Sequence, residues 1–404
     1  MSASLPIPGA PPSRDRADFS FVLGGPLFQL FHRLHLAGDR LELPRRRIIA
    51  SAAIAWVPLL ILAVAQGLAL GDRVAVPFLL DIDAHVRFLL VVPLLIAAEL
   101  VVHQRIRFVA QQFLERELIA PGERRRFEAA VASTKRLRNS VVAEVALLAF
   151  VYLVGVNVIW RGYTALDTDT WYATKGADGM TLSLAGMWYA FVSVPFAQFL
   201  LLRWYYRIFI WARFLWQVSR IPLRLVPAHP DRLGGLGFLS ATSSAFAPLA
   251  AAHGALVSAW IANRIFYHGA ALLDFKVEIV VVAVWMLCLV FVPFLMFSGR
   301  LAHFSRQGER DYGPLAERYA HQFEAKWVGA SPREAGEGLL GSNDIQSLAD
   351  MANVYGVVHS MRLVPFTKQG AIQVLAATLA PIAPLALTMM PLGELVRRLA
   401  KMVL

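Results

Sequence analysis

Charge is scarce in this chain. Only 17% of its 404 residues are Asp, Glu, Lys or Arg, against about 25% in an ordinary soluble domain. With 57% hydrophobic residues and a mean hydropathy of +0.54, a two-domain soluble enzyme is excluded and a bilayer is indicated. Cysteine is nearly missing, and Cys288 alone cannot form an intrachain disulfide. Met1 to Ser20 is Pro-rich and polar, without the apolar stretch of a cleavable signal peptide. The first hydrophobic span is therefore expected to double as the insertion signal. Walker, H-E-x-x-H and C-x-x-C patterns are missing too, so a nucleotide-driven pump or a zinc protease has no support. The sequence names no catalytic residue, no cofactor and no metal, and a non-enzyme is expected; a lipid-modifying enzyme would need a cluster of His and carboxylates at one interface, for which only His229 and Asp231 offer themselves.

Lysine is rare: 33 of the 39 basic residues are Arg, a bias that fits a GC-rich bacterial genome and points to no mechanism. A formal charge of +11 would suggest nucleic acid in a soluble protein. In a membrane protein the informative quantity is where the basic residues sit, and nucleic acid is not expected as a partner.

What is present is a series of apolar runs. Six reach the roughly 20 residues needed to cross a hydrocarbon core of about 30 Å: Ile48–Leu70, Val86–His103, Val141–Trp160, Leu184–Leu202, Leu236–Ala262 and Val277–Ser298. Segments 1–47, 104–139, 203–233 and 300–369 hold 30 basic residues, and the alternate segments 71–87, 161–182 and 263–277 hold six. This bias predicts a cytoplasmic N-terminus in a bacterial inner membrane. The acids Asp72, Asp81, Asp83, Asp167, Asp169 and Asp178 collect in the loops expected outside.

The expected fold is all-α: a polytopic integral membrane helical bundle with long cytoplasmic helical extensions and a C-terminal re-entrant or interfacial segment. Its parts are a cytoplasmic N-terminal segment 1–47, a six-span bundle 48–298 with a cytoplasmic hairpin 104–139, a cytoplasmic helical region 299–369, and a C-terminal part 370–404. The hairpin follows from apolar residues that continue past the second span to Leu118, break at Pro121-Gly122, and return through Phe127, Val131 and Leu137. From His85 to Leu118 such a helix measures about 51 Å. In the soluble region helices are expected at Pro314–Val328 and Asp344–Met361, packed on the helical extensions because 70 residues make a poor core of their own. The run Ala371–Met390 is broken by Pro381 and Pro384 and reads as a re-entrant hairpin or a kinked seventh span. After it, Leu392, Leu395, Val396, Leu399 and Val403 recur at the spacing of an interfacial amphipathic helix.

Ionisable groups inside a membrane are functional suspects. Glu99 and Glu144 should sit at similar depth on consecutive helices, with His103 one turn beyond Glu99 on the same face. With Asn157 and His253 they form the candidate ion or proton pathway. The alternative is structural: Glu144 favours the positive end of its helix, and Glu99 pairs with Arg107 or Arg138. Arg203, Arg207, Arg213 and Arg220 are not spaced as a voltage sensor and are expected to face lipid phosphates. Small residues from Gly237 to Gly254 allow close helix packing or line a pore, and Pro248 predicts a kink. His229 and Asp231, in His229-Pro230-Asp231-Arg232, are a candidate regulatory loop; the first three residues resemble the signature of J-domain co-chaperones, but the flanking helices of that domain are missing. The expected function is an ion channel or secondary transporter for a small ion, probed by Glu99→Gln and Glu144→Gln, in a lipid bilayer and as a homo-oligomer. The alternative is a non-conducting sensor or scaffold that binds a cytoplasmic partner.

Overall fold

A computed structural model describes residues 44–156, 169–176, 179–328 and 343–389. Asn157, the N-terminal segment before residue 44 and the expected amphipathic helix after Pro391 lie outside the described residues. Helix dominates, and the strand content among the described residues is one hairpin, β1 (Ala173–Gly176) against β2 (Gly179–Leu182), paired antiparallel with Ala173 opposite Leu182.

Helix α1 is Pro44–Ala65 and α2 is Ile82–Glu115, 34 continuous residues. Two helices of the bundle relax into a π turn ahead of a proline. In α2 the turn Arg87–Val91 precedes Pro93, and in α5 (Leu184–Ser219) the turn Tyr189–Ser193 precedes Pro195. Proline lacks an N–H and crowds the carbonyl four residues back, so a wider turn relieves the clash without ending the helix. The Phe191 carbonyl, which has no N–H to accept from at Pro195, accepts a hydrogen bond from the Tyr152 hydroxyl at 2.9 Å.

Between them, α3 (Arg124–Arg138) meets α4 (Val141–Gly155) at a 45° bend, with Ser140 capping α4 by accepting from the Ala143 N–H at 3.2 Å. Helix α6 (Gly237–His268) begins as ten residues of 3-10 helix, becomes α-helical at Ala247 beside Pro248, and ends at Gly269 with φ 65°. Only glycine adopts that left-handed cap without steric cost.

Helix α7, Leu272–Trp327, is 56 residues long. It runs on through 3-10 stretches at Leu272–Phe275 and Val292–Phe297 into Ser298–Trp327. At 1.5 Å per residue it measures about 80 Å, well over twice a hydrocarbon core. The expectation of a separate helix opening at Pro314 is corrected. Pro314 is exposed inside α7, where solvent can take up the carbonyl that loses its donor. Helix α8 (Asn343–His359) folds back on α7: Gly308 leaves space that Pro227 and Val358 occupy, and Val358 is fully buried. Helix α9 (Lys368–Leu379) is followed by a 3-10 turn Ala383–Met389 bent away by 53°. It lies against α6, where a Cβ on Gly254 would collide with the Thr378 carbonyl, and Ser258 donates to the Pro381 carbonyl at 2.7 Å. Close backbone packing is thus what Gly254 provides.

Among the described residues, five helices are long and apolar enough to cross a membrane, or up to seven if each bent pair is one span. The expected hairpin is present at its tip, where Phe113 and Phe127 lie 6.1 Å apart between ring centroids. Its two arms, however, diverge: α2 packs along α1 and α6, and α3 packs along α5. The reason is that other chain wedges between them. Phe113 also meets Phe238 at 5.0 Å and Phe297 at 6.3 Å, Phe127 meets Phe214 at 6.1 Å, and Ile119 pairs antiparallel with Leu223 of the α5–α6 linker.

Candidate functional site: a buried arginine and glutamate cluster

Helix α5 is the axis of the site. Arg203 and Arg207 are one helical turn apart, so their side chains leave α5 on one face, and both reach Glu99 of α2. Glu99 Oε1 accepts from Arg207 at 2.6 Å and from Arg203 at 3.4 Å, while Oε2 accepts from Arg47 of α1 at 2.6 Å. Through its Nε, Arg203 also pairs with Glu144 of α4 at 3.2 Å. All five side chains are buried. Four helices far apart in sequence are thereby joined through one ionic network.

The packing around it is equally specific. Trp204 donates from Nε1 to the Leu95 carbonyl at 2.9 Å and lies 5.2 Å from the Arg207 guanidinium. Tyr206 donates to the Leu137 carbonyl at 2.8 Å, and Ser193 to the Ala55 carbonyl at 2.7 Å. Removing five charges from water is costly, and only mutual pairing with good geometry offsets it.

Glu99 and Glu144 are therefore brought together, but through a shared guanidinium. Arg203 and Arg207 do not face lipid phosphates, as their spacing alone suggested; they are 4% and 6% exposed and paired inward. Nor does Glu99 take Arg107 or Arg138 as its partner. A signal for this was present: an isolated acid in an apolar span needs a base, and Arg203 and Arg207 offer two at helical spacing. His103 is buried one turn past Glu99 and joins neither carboxylate; its charged neighbours are Arg107 and Arg138, and its Nδ1 is without a hydrogen bond. His253 belongs elsewhere. Its Nδ1 lies 2.8 Å from the Leu249 carbonyl and so must donate, which leaves Nε2 to accept from the Tyr205 hydroxyl at 2.8 Å. Residues two apart on a helix are about 200° apart around its axis, so Tyr205 directs His253 to the side of α5 opposite the arginine cluster.

The His229-Pro230-Asp231-Arg232 loop is a self-contained turn. Asp231 Oδ1 accepts from the backbone N–H of Leu233 at 2.8 Å and Gly235 at 3.2 Å, Oδ2 accepts from Gly237 at 2.7 Å, and His229 Nδ1 lies 2.9 Å from Oδ1. Burial pushes the Asp231 carboxyl up, but the Leu233, Gly237 and Gly235 N–H groups and His229 outweigh it and hold it below the usual aspartate value. Arg362 fastens the loop to the segment after α8, with Nη2 donating to the Asp231 carbonyl at 3.2 Å.

Sequence reasoning also passed over a second buried polar cluster, at the other end of α2. Asp81 caps that helix: Oδ1 accepts from the N–H of Asp83 at 3.1 Å and of Ala84 at 3.4 Å, and from Asn263 Nδ2 at 3.0 Å, while Oδ2 accepts from Trp171 Nε1 at 2.9 Å. Beside it, Arg87 pairs with Asp83 at 2.6 Å, and Trp56 donates to His85 Nδ1 at 2.9 Å. Among the described residues, no group of three or more His, Cys, Asp or Glu side chains is placed to hold a metal ion. In comparisons with protein-family models, curated proteins and solved structures, nothing matches this chain.

Proposed function

We propose that this chain is a bacterial inner-membrane protein with a cytoplasmic N-terminus that acts as a non-conducting sensor or scaffold, its long helix α7 and helix α8 presenting a surface to a cytoplasmic partner. The observation that carries this reading is the occupancy of Glu99: both oxygens are taken by three guanidinium groups. A carboxylate held in that way is poorly suited to exchange a proton or a cation with each transport cycle. His253 lies on the opposite side of α5 with both ring nitrogens in use, apart from the cluster that holds Glu99. The ionic cluster instead suits a bundle that holds its helices rigidly while α7 extends beyond it.

Two experiments test the proposal. Purified protein in liposomes, with and without a pH gradient, should pass ions no faster than protein-free liposomes. Flux that Glu99→Gln and Glu144→Gln abolish would restore the channel or transporter reading. Cysteine-accessibility labelling should place Asp169 outside and Arg125, Asp231 and Gln346 inside; labelling of Arg125 from the periplasm would reverse the orientation.

A further inference from the structure

Where α5 and α7 leave the apolar part of the bundle, three arginines stand without a carboxylate partner among the described residues: Arg213, Arg220 and Arg300. Ring contacts set the level of one helix against the other. Tyr205 meets Trp285 edge-on at 6.0 Å, and Trp211 meets Phe294 at 6.5 Å. The outward apolar face of α7 includes Val277, Val281 and Val284 and ends at Leu295, which is 43% exposed. Arg300 follows five residues later, about 7 Å further along the helix.

At this level α5 presents Arg213, Trp216 and Arg220, whose spacing of three and four residues puts them on one face. Trp216 is 45% exposed, and the Arg220 guanidinium lies 5.4 Å from its ring. Arg300 is close enough to Arg220 for their charges to repel. Arg213 makes its one side-chain hydrogen bond to the neutral Ser133 hydroxyl, at 3.4 Å. Like charges gathered without an acid, directly beyond an exposed apolar belt, call for an anion that arrives with an apolar tail. Guanidinium groups match the geometry of a phosphate, and an exposed tryptophan suits the headgroup layer.

We propose that Arg213, Arg220 and Arg300, with Trp216 beside them, bind the phosphate of an anionic phospholipid headgroup. The site rests on the membrane reading above and deepens it, because a lipid held there ties the end of α5 to α7 at the point where the long helix leaves the bilayer.

The test uses the full chain in detergent micelles, titrated with short-chain phosphatidylglycerol, short-chain phosphatidylcholine and inorganic phosphate, with binding read by native mass spectrometry. Phosphatidylglycerol should bind in preference to phosphatidylcholine. Each arginine neutralised should weaken it roughly fivefold, so that Arg220→Gln with Arg300→Gln loses about 25-fold. Arg220→Lys with Arg300→Lys should keep most of the preference, and Arg318→Gln, on the exposed far part of α7, should leave it unchanged. If the double glutamine variant does not purify as a single species, Arg213→Gln provides the same reading. Equal binding of the two lipids, or glutamine variants that bind like the wild type, would overturn the site. Inorganic phosphate competing as well as the lipid would overturn the lipid assignment. Fractionation of the same cells tests the membrane reading separately: a chain found in membranes but without headgroup preference refutes the site alone.

Discussion

Among the buried carboxylates of α2 and its cap, Glu99 and Asp81 are each 4% exposed and stand about 27 Å apart along the helix. Glu99 is held by three guanidinium groups from two other helices. Asp81 is held by donors that carry no charge: two backbone N–H groups, an indole and an amide. Both solutions keep a carboxylate out of water, but they fail differently. Removing Glu99 strands buried charges, whereas removing the Asp81 carboxylate strands only neutral donors, which costs less.

The largest effect should come from Glu99→Gln, which leaves three buried guanidinium groups with Glu144 as the cluster's remaining acid. Thermal unfolding in detergent should show a loss of about 3–5 kcal/mol; a loss below that of the Asp81 variant would erase the distinction between the two clusters. Next, Glu99→Met combined with Arg207→Met should cost less than the sum of the single changes, with a coupling of about 0.5–3 kcal/mol in a double-mutant cycle. Additive losses would mean that the 2.6 Å pair carries no net interaction.

Asp81→Asn should cost about 1–3 kcal/mol, because its new NH2 faces donors that had been satisfied. The smallest effect is expected at Asp231, a third carboxylate, held mostly by backbone N–H groups and partly exposed. Its carboxyl is held below the ordinary value in the folded chain. The stabilisation it gives is therefore fully present above the unfolded aspartate value of about 3.9 and is lost as the pH falls through the lower folded value. Unfolding of wild type and Asp231→Asn compared from pH 6 to pH 3 should show the gap between them close on the acid side; a gap constant with pH would assign the residue's effect to shape alone.

Much of the helical layout was legible. The second span was expected to continue well beyond a membrane's width, and α2 does so at Ile82–Glu115. The break in the run Ala371–Met390 is where two prolines predicted it, between Leu379 and Ala383. Less legible was α7, because Pro314 resembles a helix start when read locally, yet an exposed proline is tolerated inside a helix already held by packing on both sides of it. The candidate site was half legible. Glu99 and Glu144 were singled out, but Arg203 and Arg207 were assigned to lipid and Arg47 to a cytoplasmic tail.

Hydropathy and charge alternation are properties of short stretches of chain, so the sequence by itself determined a mostly helical fold with several helices of membrane length and the polar residues that demanded partners. Which partners they received depended on how α1, α2, α4 and α5 turn about their own axes when packed. Arg207 and Glu99 are separated by 108 residues and meet at 2.6 Å. A rotation of either helix by a third of a turn would part the two side chains while leaving every hydropathy value the same. That choice was made by the tertiary structure, because only the packed bundle offers a buried arginine the acid that makes its burial tolerable.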